Sequence, residues 1–293
     1  MKRFLKEIAL ILGLALVMMI GLDLVYTKIY TLSPPRTKFQ MAKSLEGKKV
    51  DYVFLGSSRV ENHIIPSLIA EKTGKTAYNL GFQSVRLFDI LTMLKLLKAY
   101  DIDAKKVFVQ IDYNFDQTGR SVHLPFEMAP FIHDNAVTAE YFAGQPDYFG
   151  FNYVPFYRYC AYDYKIGFRE VMLNLVRKKT AIIASRGYYP LYDQNLTGDF
   201  ALPADIQDSN REFEAIKKYC KDNRIDVTYF CAPVWQETPN IGYFEKLRKK
   251  IPELVDYSRV FRGDEMFDNK NHLNDKGAHA FTQIIIDDLL LKK

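Results

Sequence analysis

Three cysteines, one tryptophan and five histidines are few for 293 residues, and their scarcity excludes a good deal. Cys160, Cys220 and Cys231 are odd in number and form no CxxC pair, so neither a zinc ribbon nor a disulfide framework is indicated, and buried free thiols are expected. His63, His123, His133, His272 and His279 stand mostly isolated, without metal-ligand spacing, and no metal is expected. A dense basic block is missing as well. The net charge of +5 comes from 40 Lys and Arg dispersed among 35 acids, without a basic stripe interleaved with aromatics, and this sets nucleic acid aside as a partner. What remains is a chain with 48% apolar residues, enough for a real core in one large α/β domain or two small ones.

The most informative apolar run opens the chain. MKRFLKEIALILGLALVMMIGLDLVYTKIY sets Lys2, Arg3 and Lys6 ahead of an uncharged stretch from Ile8 to Leu22, and apolar character resumes after Asp23. As a helix, Phe4 to Tyr26 is long enough to cross a hydrocarbon core of about 30 Å, with Lys6 snorkelling and Tyr26 suited to the interface. Ile20 to Leu24 offers no convincing small-x-small cleavage site, and no Cys follows for lipid attachment. Residues 1–30 therefore read as an uncleaved anchor in the lipid bilayer, single-pass, with the basic flank cytoplasmic and the body of the protein outside. A cleaved signal peptide and a soluble amphipathic helix stay open as alternatives.

Residues 31–47, with Ser33-Pro34-Pro35-Arg36, read as a short basic spacer. From residue 48 strands and helices alternate: VDYVFLG as a strand, HIIPSLIAEKTG as a helix, TAYNLGF as a strand, VRLFDILTMLKLLKAY as a helix, KKVFVQIDYN as a strand. This alternation predicts a mostly parallel sheet covered on both faces. The pattern lapses over 113–207, a segment that holds 20 of the 41 Phe and Tyr residues. That density predicts an inserted subdomain with aromatics filling a loop-rich core; a groove whose aromatic faces stack on sugars is the sharper alternative. Alternation resumes with NREFEAIKKYCKDN, RIDVTYFCAPV and GYFEKLRKKI, and a last helix runs from about Asp275 to Leu291.

In an open α/β sheet ligands collect at the carboxyl ends of the strands. Gly56-Ser57-Ser58, Asn79-Leu80-Gly81, Asp112-Tyr113-Asn114 and Pro233 all fall at such ends. A serine becomes a useful nucleophile only when a base takes its proton and donors receive the charge that develops on the carbonyl oxygen. His272 lies four residues after Asp268 and three after Asn269, and an acid just upstream can hold an imidazole in the tautomer that accepts from serine. Each feature alone has a plainer reading, since Gly-Ser-Ser suits a strand-to-helix corner and a histidine can cap a helix. Arg59 reads as a pairing side chain or, less readily, as an anion-binding one toward substrate; His63 and His279 read as structural.

Taken in order, GSSR at the first strand, NLG after the second and D-x-x-x-H-L-N-x-x-G-A before the last helix resemble the SGNH/GDSL hydrolase superfamily over roughly residues 48–112 and 208–291. With the N-terminal anchor, the chain resembles the membrane-tethered, extracytoplasmic branch that includes the lipoteichoic-acid D-alanylation and alginate O-acetylation proteins. The resemblance implies a flavodoxin-like three-layer α/β/α domain over 48–293, interrupted by the aromatic insertion 113–207. It implies Ser58 as nucleophile, with Ser57 in place of the family's Asp, and His272 as general base. Backbone N–H groups of Ser58 and Gly81 would serve the oxyanion, with Asn114 a candidate third donor.

Two departures from the family pattern matter. The family's acid sits three residues before the histidine, where this chain has Asn269; Asp268 serves if the loop bulges by one residue, with Asn269 the alternative. On that basis Asp268→Ala is expected to lower turnover more than Asn269→Ala. The family's third block, Gly-x-Asn-Asp, is replaced by IDYNFD. The implied function is serine-dependent acyl transfer or acyl-ester hydrolysis on cell-envelope polysaccharide through an acyl-serine, with no cofactor, beside a membrane-bound O-acyltransferase-type partner. The displaced acid keeps open a non-catalytic scaffold or glycan-binding protein.

Overall fold

Short runs rich in β-branched and aromatic residues become the strands β1 Lys49–Gly56, β2 Ala77–Gly81, β3 Asp103–Gln110, β4 Val227–Cys231 and β5 Val255–Asp256 in a computed structural model that describes residues 1–292. The five pair in the order β2-β1-β3-β4-β5, every neighbouring pair parallel. β1 and β3 each end in four consecutive buried residues, as parallel strands covered on both faces do. The register sets Gly56 beside Gly81 and Gln110 beside Phe230, so the strand ends share one edge. Both glycines are needed there. A Cβ at Gly56 would lie 2.5 Å from Val60 Cγ2 and 2.6 Å from Gln110 Oε1, and one at Gly81 would lie 2.7 Å from the Glu61 backbone nitrogen.

Helices return the chain between strands as the periodicity predicts, over Pro66–Thr73, Leu87–Ala99, Arg211–Asp222, Tyr243–Lys250 and Asp275–Ile285, the last continued by a π-turn to Leu290. Gly74, left-handed at φ 67°, stops the first of these. Phe54, Phe108, Phe230, Phe281 and Ile285 form one buried cluster that joins the sheet to the last helix. A two-stranded antiparallel hairpin, β6 Phe267–Asn269 and β7 His272–Leu273, precedes that helix. Hydrophobic patterning does not reveal it, because strands of three and two residues carry no period.

The sheet belongs to the larger of two compact units, Met41–Leu124 with Thr180–Lys293, and the smaller joins Met1–Gln40 to Pro125–Lys179. The aromatic segment is therefore narrower than 113–207. Its ends belong to the sheet unit, where Phe115 packs on Phe213 at 5.8 Å and the Asn195 N–H bonds the Asp268 carbonyl at 2.6 Å. In the smaller unit Phe131, Tyr141, Phe142, Phe151 and Tyr159 are buried as core filler.

The smaller unit also takes in the apolar N-terminal segment. Helix α1 covers Lys2–Leu32 and stops at Ser33, the residue before Pro34. It is long and apolar enough to cross a membrane, a description that a signal sequence also meets. The residues after it are no spacer. Arg36 pairs with Glu170 at 2.7 Å, and the Gln40 amide donates to the Tyr30 carbonyl at 2.9 Å and to Asn174 Oδ1 at 3.0 Å. Arg36 and Gln40 find partners in 125–179, half-buried Glu170 and buried Asn174, that composition cannot foretell.

Candidate active site

At the end of β1 the chain turns through Ser57 into a single helical turn, Ser58–Glu61. Ser57 shapes the corner. Its N–H and hydroxyl both donate to Gln110 Oε1, at 2.8 and 2.9 Å, and its oxygen accepts from the Arg59 N–H at 3.3 Å. Ser58 is thereby the first residue of the turn, where its N–H has no intrahelical acceptor. Its Oγ lies 2.7 Å from His272 Nε2, across 214 residues of sequence.

The hairpin presents His272. Antiparallel pairing sets Asn269 opposite His272, and Asn269 Oδ1 accepts from the backbone N–H groups of His272 and Asn271 at 3.1 and 3.2 Å. That oxygen also lies 3.1 Å from His272 Nδ1. An oxygen that already accepts from two N–H groups defines the tautomer: Nδ1 carries the proton and donates, leaving the Nε2 lone pair to receive the Ser58 O–H. Asp268 is not the partner of the imidazole. Side chains alternate along a strand, so the residue paired with His272 is the third before it and not the fourth. Asp268 instead accepts from the Asn269 amide at 2.9 Å and from the Asp193 N–H at 3.1 Å. Burial raises its pKa above the ordinary carboxylate value.

Burial, and secondarily the Arg59 charge, push the His272 pKa down to about 4, so its imidazole is neutral at neutral pH. His63 meets it edge to face at 5.9 Å and accepts the Leu273 N–H at 3.0 Å through Nε2, which places its own proton on a buried, unpartnered Nδ1. Burial holds His63 well below its usual value too. It braces the hairpin, as expected.

Arg59 is fully enclosed and closed to substrate. Its Nε stands 2.6 Å from Asp112 Oδ2, without the alignment of a hydrogen bond, so charge rather than directed bonding holds that contact. The remaining nitrogens donate to the Asn271 carbonyl at 3.0 Å and the Ala232 carbonyl at 2.5 Å. One side chain thus ties the ends of β1, β3 and β4 to the hairpin loop, a structural role that its exposed-looking place in GSSR conceals.

The expected oxyanion donors fare unequally. The Gly81 N–H is directed to Asn79 Oδ1 at 3.1 Å, while the Asn79 amide donates to the carbonyls of Val60 and Ile64 at 2.6 and 2.8 Å. Asn114 closes the end of β3, its Oδ1 accepting the Asp112 N–H at 2.9 Å and its amide facing the Gln110 carbonyl at 3.4 Å. Only the Ser58 N–H stays unengaged. Gln110 was not foreseen. It is fully buried at the carboxyl end of β3, and its Nε2 has no partner beside Ser57. A glutamine inside the apolar run VFVQI is the signal that marks it.

Among the described residues no cluster of three or more His, Cys, Asp or Glu is arranged to hold a metal ion. No protein-family model matches the chain, and no curated protein is significantly similar to it.

Proposed function

We propose that the chain is a membrane-anchored serine acyltransferase or acyl esterase of the cell envelope, with Ser58 as nucleophile and His272 as general base. The observation that carries this reading is the 2.7 Å contact of Ser58 Oγ with an imidazole nitrogen left basic by its tautomer. The strand order β2-β1-β3-β4-β5, with that contact at its carboxyl edge, supports a flavodoxin-like α/β/α domain of SGNH type.

In the proposed reaction Ser58 Oγ attacks an acyl carbonyl carbon as its proton passes to His272 Nε2, and the Ser58 N–H receives the developing oxyanion. Collapse breaks the bond to the leaving alcohol, which takes the proton from Nε2 and leaves an acyl ester on Ser58. A second hydroxyl, from water or an envelope polysaccharide, then gives its proton to Nε2 and attacks that ester, and the Ser58 oxygen leaves reprotonated. No step needs a cofactor. The small acyl group, the polysaccharide acceptor and a membrane-bound O-acyltransferase-type partner come from the family resemblance alone.

Retention of α1 as a single-pass anchor is supported by what the far end of the helix touches, and its basic end is read as cytoplasmic from Lys2, Arg3 and Lys6. Asp23 accepts the Phe156 N–H at 2.7 Å and pairs with buried Arg158 at 2.7 Å. Thr27 bonds the Tyr159 hydroxyl at 2.8 Å, and the Tyr30 hydroxyl donates to the Ile166 carbonyl at 3.0 Å. Cleavage beyond Asp23 would strip Arg158 of its counter-charge.

Treating the full chain in detergent with a fluorophosphonate probe tests the assignment. Labelling is expected in the wild type, lost in Ser58→Ala and strongly slowed in His272→Ala; a folded wild type that never labels overturns it. A second reading, a non-catalytic scaffold, is favoured by Asn269 in the acid's place and by the engaged Gly81 N–H. It predicts glycan retention by that unlabelled protein.

A further inference from the structure

The smaller unit leaves some of its large aromatics in solvent, and two of them stand at a defined height on α1. Phe149 and Tyr153 lie one turn apart on the helix Tyr148–Tyr153, 71% and 62% exposed, with ring centroids 5.5 Å apart. Residues four apart share a helix face, so the two rings form one wedge.

The height follows from arithmetic on α1. At 1.5 Å per residue about 20 residues cross a hydrocarbon core, so a span that begins at Phe4 ends close to Asp23 and Leu24. Those residues and Ile20 line a single cleft with Asn152, Tyr153, Val154 and Arg158. The Asp23–Arg158 pair and the edge-on stacking of Tyr26 on Phe156, at 4.9 Å, pin the two segments together at this level. The wedge is therefore held beside the last turn of the apolar span. Exposure alone does not single out this pair, since Tyr164 and Phe168 are 70% and 66% exposed, but its height on α1 does; an aromatic pair at the water–lipid boundary needs no protein cover, because ring faces sit well among headgroups and the Tyr hydroxyl stays wet.

We infer that the helix Tyr148–Tyr153 is a second membrane contact, seating Phe149 and Tyr153 in the lipid headgroup region beside the exit of α1. The inference rests on the reading of α1 as a retained span. It assigns the exposed aromatics of this helix to lipid, not to a carbohydrate groove, and it fixes the rotation of the smaller unit about α1 by giving one side of it to the bilayer.

Tryptophan quenching separates the outcomes. Full-length Phe149→Trp, reconstituted in phosphatidylethanolamine–phosphatidylglycerol vesicles, is compared with Leu12→Trp, and emission added over that of native Trp235 is recorded. Lipids brominated in the upper acyl chain are expected to remove most of the signal added at 149, while acrylamide removes little. If Leu12→Trp is quenched by brominated lipid and Phe149→Trp only by acrylamide, the second contact is overturned and the anchor stands. If neither quencher reaches position 149, a protein surface covers the wedge, and the lipid assignment is equally overturned. Loss of lipid quenching at position 12 would instead remove the anchor on which the inference depends.

Discussion

Each unit of the molecule is tied together by a buried arginine paired with an aspartate, and the two pairs do different work. Arg59, in the sheet unit, draws three strand ends and the hairpin loop onto one guanidinium, with Asp112 as its counter-charge. Arg158, in the smaller unit, joins Asp23 of α1 and also bonds Thr27 Oγ1 at 2.9 Å. The first pair is a keystone whose charge reaches the candidate base; the second is a clamp between a helix and the segment beside it. Charge in the first therefore costs His272 basicity, whereas in the second Arg158 lowers and Asp23 raises the pKa of His133, whose downward shift comes mainly from burial.

The largest effect should come from the keystone. Asp112→Ala leaves an enclosed guanidinium without its counter-charge, and breaking such a pair costs about 3–5 kcal/mol. Denaturant unfolding of the full chain in detergent should show a correspondingly lower midpoint. A loss below 1 kcal/mol would mean that the two carbonyls satisfy Arg59 on their own.

Next is the pH dependence that the crowded imidazole imposes. The folded-state pKa of His272 lies near 4, below the usual 6.5, so between these values the unfolded chain binds the extra proton and stability falls as pH is lowered. His272 contributes on the order of 3 kcal/mol to that fall, fully present above pH 6.5 and lost by about pH 4. His63 slopes in the same direction. Comparing wild type and His272→Gln by unfolding at several pH values should flatten the profile in part. For the proposed activity the sign is the same: Nε2 stays basic down to about pH 4, and the acid limb of the rate profile should lie there.

The third effect discriminates the two residues upstream of His272. Asn269→Ala removes the acceptor that selects the tautomer and should slow ester turnover or probe labelling about a hundredfold. Asp268→Ala, one bond further out, should cost less than tenfold, the reverse of what choosing the acid over the family spacing suggests. Asn269→Asp supplies a charge for the imidazolium but sets two carboxylates face to face, since Asp268 Oδ2 is 2.9 Å from the Asn269 amide. The double exchange Asp268→Asn with Asn269→Asp relieves this, should exceed the wild-type rate, and should move the acid limb upward. Failure of both exchanges to change the rate would favour the scaffold reading.

Much of the sheet was legible because buried parallel strands and their helices have strong periodicity, and β1 to β4 overlap VDYVFLG, TAYNLGF, KKVFVQIDYN and RIDVTYFCAPV, the last two strands ending four and three residues before the expected stretches do. Ser58 and His272 were legible as a pair only through motif order, since nothing local relates residues that a sheet edge brings together. Three things were not. Asn269 rather than Asp268 meets the imidazole because a hairpin of three and two residues sets the pairing. Arg59 is spent inside, because its partners arrive from β3, β4 and the hairpin. Residues 31–40 pack against 125–179 through side chains that composition reads as a spacer.

The smallest effect belongs to the clamp. Asp23→Asn keeps one oxygen for the Phe156 N–H, now 2.7 Å away, but replaces the oxygen that accepts from Arg158 Nη2 with an amide donor, so the charge and that hydrogen bond are both lost and Arg158 retains the Thr27 hydroxyl. Losing a hydrogen bond to a charged group costs about 1.5–3 kcal/mol, short of the keystone because one partner remains and the site is only partly closed. Thermal unfolding in detergent should register that loss, proteolysis within 125–179 should quicken modestly, and labelling of Ser58 should not change. A cost equal to that of Asp112→Ala would erase the distinction between keystone and clamp, and would mean that the charge of Asp23, rather than its geometry, holds α1 to the smaller unit.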